Sequence, residues 1–203
     1  MVTYLFSGID RKRGFTAIQA KHLKSDIKDN SRIVYISSIF NNYKRNDKQI
    51  EEYNNNFKDI GINFKKSRVL DERVSKQEAK EIIMKSNVVF LLGGSPKMQM
   101  DFINSYGLVD AIKQAKLIIG VSAGSMNLSK RVIYKDDFDN YILRDYKEIG
   151  ITDINIFPHF DMIYETCKEE IEEIKKIMPL ILLPNDSFII IKNGKPNIIG
   201  EHY

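Results

Sequence analysis

The sequence predicts an α/β protein with a mainly parallel sheet covered by helices on both faces. Short apolar runs alternate with helical segments through the first 120 residues, the order that a parallel sheet with crossover helices requires. These runs lack a polar face, as strands buried on both sides do. The last of them, at 117–119, enters Gly120-Val121-Ser122-Ala123-Gly124, a sharp strand-to-helix turn that exposes a serine.

Each element follows from its local pattern. Residues 3–7 read as the first buried strand, 10–14 as a loop and 15–26 as a helix. A second strand is expected at 31–37. Residues 47–60 are highly charged, but Ile50, Tyr53 and Phe57 fall at helical spacing, so an amphipathic helix ends near Gly61. β-Branched and aromatic residues make 62–70 a third strand. Ser75-Lys76-Gln77-Glu78 is a capping box opening a helix that buries Ala79, Ile82 and Ile83. Residues 87–92 are a continuous apolar strand running into Gly93-Gly94. Helices are expected over 97–106 and 108–115, separated at Gly107.

After the serine turn the texture changes. Residues 132–148, rich in Asp, Tyr and Lys, read as irregular or hairpin structure. A strand at 151–157 stops at Pro158-His159-Phe160-Asp161. Residues 162–177 form a helix with Ile163, Cys167, Ile171 and Ile174 along one stripe, and 180–183 are a strand. Asn193-Gly194 joins 187–191 to 196–199 as a hairpin. With no repeat or linker in 203 residues, 1–203 is read as a single domain.

Composition narrows the function classes. The chain is 43% apolar and 29% charged, with a net charge of +4 spread among acidic residues. No basic stripe interleaved with aromatics stands out, which argues against nucleic-acid binding. A lone Cys167 excludes an internal disulfide and fits a reducing compartment. No apolar span or leader-like pattern is seen, so a cytoplasmic protein without a membrane partner is expected. No His, Asp, Glu or Cys cluster has ligand spacing, so neither metal nor cofactor is expected.

A serine hydroxyl is unreactive at neutral pH without a base. The chain has three histidines. His22 sits in the charged stretch Lys21-His22-Leu23-Lys24 and reads as solvated; His202 is next to the last residue, where ends fray. His159 follows a strand, between Phe157-Pro158 and Phe160, where an imidazole can be fixed and partly desolvated. Acyl transfer also needs backbone N–H groups aimed at the developing negative charge. Ala123 can supply one, and the Gly93-Gly94 pair, at the end of a neighbouring strand, another.

Together, Phe90-Leu91-Leu92-Gly93-Gly94-Ser95, Gly120-Val121-Ser122-Ala123-Gly124 and Ile154-Asn155-Ile156-Phe157-Pro158-His159-Phe160 resemble the dipeptidase E (aspartyl dipeptidase) family of serine peptidases, with cyanophycinase a more distant relative. The resemblance runs over most of the chain. It implies a flavodoxin-like three-layer sandwich related to class I glutamine amidotransferases, with serine in place of their cysteine. It also implies Ser122 as nucleophile, His159 as general base, and Gly94 and Ala123 as oxyanion donors. The family's acidic third member falls at Asp137 by gapless counting, with Asp136 and Asp139 one or two residues away and Asp161 a weaker rival. The chain departs from the family pattern at Val121, Ser95-Pro96 and Pro184-Asn185-Asp186, where Pro-Glu is usual at the last.

The expected activity is therefore hydrolysis of short peptides through an acyl-enzyme on Ser122, by a monomer or homodimer. The alternatives are an esterase or other acyl hydrolase using the same site, or a non-catalytic ligand-binding member of the family.

Overall fold

A computed structural model describes residues 1–135, 141–144 and 149–203. The first half alternates as expected: β1 (Val2–Phe6), α1 (Ala17–Asp26), β2 (Arg32–Ile36), α2 (Tyr43–Asp59), β3 (Lys66–Leu70), α3 (Lys76–Met84) and β4 (Val88–Leu91). Then come α4 (Pro96–Tyr106), α5 (Val109–Lys113), β5 (Leu117–Val121) and the short α6 (Ala123–Met126). The second half contains β6 (Val132–Lys135), β7 (Tyr141–Arg144), β8 (Ile156–Pro158), α7 (Phe160–Ile177), β9 (Ile181–Leu183), β10 (Phe188–Lys192) and β11 (Lys195–Ile199).

A seven-stranded sheet runs β11-β10-β1-β5-β4-β2-β3. Its five strands from β1 to β3 are parallel, and β10 and β11 join antiparallel at the β1 edge. Successive side chains on each strand point to opposite faces, and the two cores show it. Leu5, Val34, Ile36, Val89, Leu91 and Ile118 pack against α3 to α7. Their neighbours Tyr4, Phe6, Ile33, Tyr35, Phe90 and Ile119 pack on the other face, against Leu23 of α1 and Tyr53 and Phe57 of α2. On that face Tyr4, Phe6 and Phe188 stack in a ladder, with centroids 5.6 and 4.9 Å apart. This is the flavodoxin-like three-layer arrangement expected.

Where the structure differs, local hydrogen bonding explains it. The third strand begins at Lys66 rather than 62. Gly61 adopts φ +81° and Ile62 N–H returns to Phe57 O, which folds Ile62 under α2. The strand expected at 151–157 begins only at Ile156 and runs on to Pro158, because Ile151 and Thr152 N–H both donate to Leu128 O. α7 starts two residues earlier than expected and departs from helical geometry at Cys167. His22 is half-buried rather than solvated, its ring edge-on to Phe188 at 5.9 Å. Among the described residues no helix is long and apolar enough to cross a membrane.

Candidate active site

The carboxyl ends of β1, β4 and β5 and the start of α7 converge on one crevice. β5 delivers Ser122 in a sharp turn with φ 52° and ψ −115°, a conformation L-residues rarely hold. The turn is clamped: Ser122 N–H donates to Phe6 O at 2.9 Å, and Ser125 and Met126 N–H donate to Ser122 O at 2.9 and 3.0 Å. The Ser125 hydroxyl donates to the same Phe6 carbonyl at 2.8 Å. Glycine is required on both sides of the serine. A Cβ at Gly120 would lie 2.7 Å from the Ser125 backbone, and one at Gly124 would lie 2.2 Å from Leu91 O.

β8 and α7 deliver the histidine. His159 also has positive φ, 57°, and its N–H donates to the Ser7 hydroxyl at 2.8 Å; that hydroxyl in turn donates to Leu183 O. The ring therefore has a fixed root on the loop after β1. Its Nε2 lies 2.9 Å from Ser122 Oγ. On the other side Nδ1 lies 2.8 Å from Asn185 Oδ1, on the loop after β9. With Nδ1–H donating to the amide oxygen, the Nε2 lone pair faces the serine.

Asp136, Asp137 and Asp139 lie outside the described residues. Asp161 is exposed, and its Oδ1 accepts the backbone N–H of Asn185 at 2.8 Å. Lys130, eight residues beyond Ser122 in the chain, pairs with Asp153 at 2.5 Å. Asn185 is the residue that sequence reasoning did not assign to the site. Its signal was present, as the departure from Pro-Glu at Pro184-Asn185-Asp186.

Gly94 holds φ 140°, and a Cβ there would meet the Ser38 hydroxyl at 2.1 Å. That hydroxyl donates to Gly93 O at 2.6 Å. Because the peptide unit is planar and trans, gripping this carbonyl also fixes the direction of the Gly94 N–H. Gly94 and Ala123 share with Ser122 and His159 the lining of a cavity of about 350 Å³, to which Lys97, Met126, Ile133, Phe157 and Ile163 also contribute. Among the described residues neither the Gly94 nor the Ala123 N–H donates to a protein acceptor. A second cavity, about 620 Å³, opens on the Asn185 side of the ring, beside Asp10 and Arg13. Asp10 accepts the Arg13 and Lys12 N–H groups, which hold its carboxyl below the usual range, while Arg13 is raised by its bond to Asp186.

A flavodoxin-like α/β fold with a strained serine in hydrogen-bond contact with a histidine at the carboxyl edge of a parallel sheet is the framework of a serine hydrolase. The sequence match narrows this: residues 6–199 match the model of peptidase family S51, and the chain belongs to that family, the serine peptidases of the dipeptidase E type. Solved structures agree on the fold. A peptidase from an acI-B1 Actinobacterium superposes with a TM-score of 0.75 at 17% identity, covering 98% of this chain and 87% of that one. A candidate peptidase E protein from Listeria monocytogenes EGD-e gives 0.72 at 16% identity, covering 98% and 97%. No curated protein matches the chain.

Proposed function

We propose that the chain hydrolyses short peptides through an acyl-enzyme on Ser122. The observation that carries the reading is the 2.9 Å contact between Ser122 Oγ and His159 Nε2. The hydroxyl attacks the scissile carbonyl as its proton passes to Nε2. The carbonyl oxygen gains negative charge and is received by the Gly94 and Ala123 N–H groups. The imidazolium returns the proton to the leaving amine. Water, activated by the same nitrogen, then releases the acid and frees the serine. No step needs a metal or cofactor.

A cavity of about 350 Å³ lies at the low end of small-molecule sites, which favours a peptide of few residues. Its lining is largely apolar but includes Lys97, whose ammonium pairs with Asp101 at 2.7 Å, so side-chain preference is left to the dipeptide panel. The expected setting is the cytoplasm.

A fluorophosphonate probe is expected to label Ser122 and no other residue, as found by peptide mapping. A dipeptide panel, with and without N-terminal Asp, should then show turnover, while simple esters of the same acids gain no more than the chemistry of their better leaving groups allows. Absence of labelling would sink the reading; labelling with ester turnover alone would turn it toward an esterase. Ser38→Ala frees the Gly93 carbonyl. It is expected to lower kcat about tenfold with little change in KM, a fraction of the 10²–10³-fold typical of losing an oxyanion donor outright.

A further inference from the structure

We propose that Asn185 is the positioning residue of His159, so that this chain works with a Ser–His–Asn arrangement whose third member is neutral. The inference rests on the roles just given to Ser122 and His159. Asn185 Oδ1 lies 2.8 Å from Nδ1, and the ring's other nitrogen lies 2.9 Å from the serine hydroxyl. The two contacts are in series through one imidazole. An amide oxygen can only accept, so it selects the tautomer with hydrogen on Nδ1 and leaves Nε2 free to take the serine proton. During transfer the proton moves from Oγ to Nε2 while Nδ1–H stays on the ring and keeps its bond to Asn185. Unlike a carboxylate, the amide orients the ring without adding a charge that favours imidazolium.

The surroundings are built to hold this side chain. The Asn185 backbone N–H is taken by Asp161, at the start of the helix that His159 leads into. The amide nitrogen of Asn185 faces Met162 Sδ. The next residue, Asp186, has φ 70° and is tied twice: by Arg13 to its carboxylate, and by Gln19 Nε2 to its carbonyl at 3.2 Å. Across the pair, Gly8 leaves the necessary space. A Cβ at that position would lie 2.4 Å from Asn185 Oδ1 and 3.1 Å from His159 Cε1. The loop after β1, the loop after β9 and the start of α7 thus agree on one position for the amide.

The charged groups on this side of the ring are Asp10, Arg13, Asp161 and Asp186, with Arg13 and Asp186 paired to each other. None changes in the variants below, so a shifted pH profile reports position 185. In Asn185→Ala, kcat should fall about 10²-fold, the cost of a misdirected catalytic group, with KM within about threefold. In Asn185→Asp, activity should stay well above that of the alanine variant. The carboxylate favours imidazolium and so raises the ring's pKa. The base is then free only at higher pH, and the acid limb of kcat/KM should move up by about one pH unit relative to the parent. Fluorophosphonate labelling of the parent separates the two layers of argument. If the parent does not label at Ser122, the underlying reading fails. If it labels, and Asn185→Ala labels and turns over as fast, the role of Asn185 fails alone. Superimposable pH profiles for parent and Asn185→Asp overturn it as well, as does a loss in Asp137→Asn larger than in Asn185→Ala. Unfolding midpoints measured on the same samples show whether an activity loss is a folding loss; a loss matched by unfolding overturns the proposal.

Discussion

Ser122→Ala is expected to lower kcat for peptide hydrolysis by about 10⁴-fold or more and to remove fluorophosphonate labelling, while the protein stays folded. On the proposed acyl-enzyme route, losing the Ser122 hydroxyl removes the covalent path and leaves only binding and oxyanion stabilisation. The fold should survive because the turn is held by backbone bonds. Phe6 O receives the Ser122 N–H, and Ser122 O receives two helix N–H groups, none of which involves the hydroxyl. A second substitution reads the strain directly. At φ 52° and ψ −115° a residue with a Cβ is held in a conformation costing of order 1–3 kcal/mol. Alanine keeps that Cβ and glycine does not. Ser122→Gly should therefore be more stable than Ser122→Ala by about 1 kcal/mol, measured by urea unfolding. Equal stabilities would mean that the turn stores no strain. The expected result makes the elbow a place where stability is given up to present a reactive side chain.

Much of this site is legible in the sequence because steric demands leave few residue choices. Gly120 and Gly124 flank a serine at a strand end, and the contacts that a Cβ would make there, with Ser125 and Leu91, are those of a helix folded back onto the sheet. The central strands are legible because a two-sided core needs apolar residues on both faces: Tyr4 and Leu5, or Phe90 and Leu91, face opposite layers. His159 is found by elimination among three histidines and sits against Ser122.

What is not legible depends on contacts between segments far apart in the chain. Asn185 lies 26 residues beyond His159 and reaches it because β8 and β9 pair in parallel, bringing Pro158 opposite Leu183. No local pattern encodes that pairing. A search for a carboxylate also passes over an amide, although the geometry needs only an acceptor. Ser38 and Gly93 are separated by 55 positions and meet because β2 and β4 are neighbours in the sheet. The short third strand has a similar origin. β3 is an edge strand bonded only to β2, so nothing obliges Ile62 to extend it.

Gly124→Ala is expected to cost about 3 kcal/mol or more of stability and to reduce activity with it. A Cβ at Gly124 would stand 2.2 Å from Leu91 O, 2.7 Å from Leu91 C and 2.7 Å from Leu91 Cβ. Two of these atoms are backbone at the end of a central strand, bonded into the sheet between β2 and β5, so they cannot move aside cheaply. The helix must move instead. α6 carries the Ala123 N–H at its first turn and follows directly on Ser122, so relief of the clash shifts the proposed oxyanion donor and the proposed nucleophile together. Gly61→Ala separates this effect from the ordinary cost of a left-handed backbone. Gly61 has φ +81° but open space around its position, so alanine there should cost about 1–2 kcal/mol and leave turnover unchanged. Urea unfolding and peptide hydrolysis on both proteins decide the matter. If Gly124→Ala proves no less stable than Gly61→Ala and equally active, the close approach of α6 to β4 is not what holds the serine in place. The expected outcome ties fold and chemistry to a single contact, the absence of one methyl group between a strand carbonyl and the helix behind Ser122.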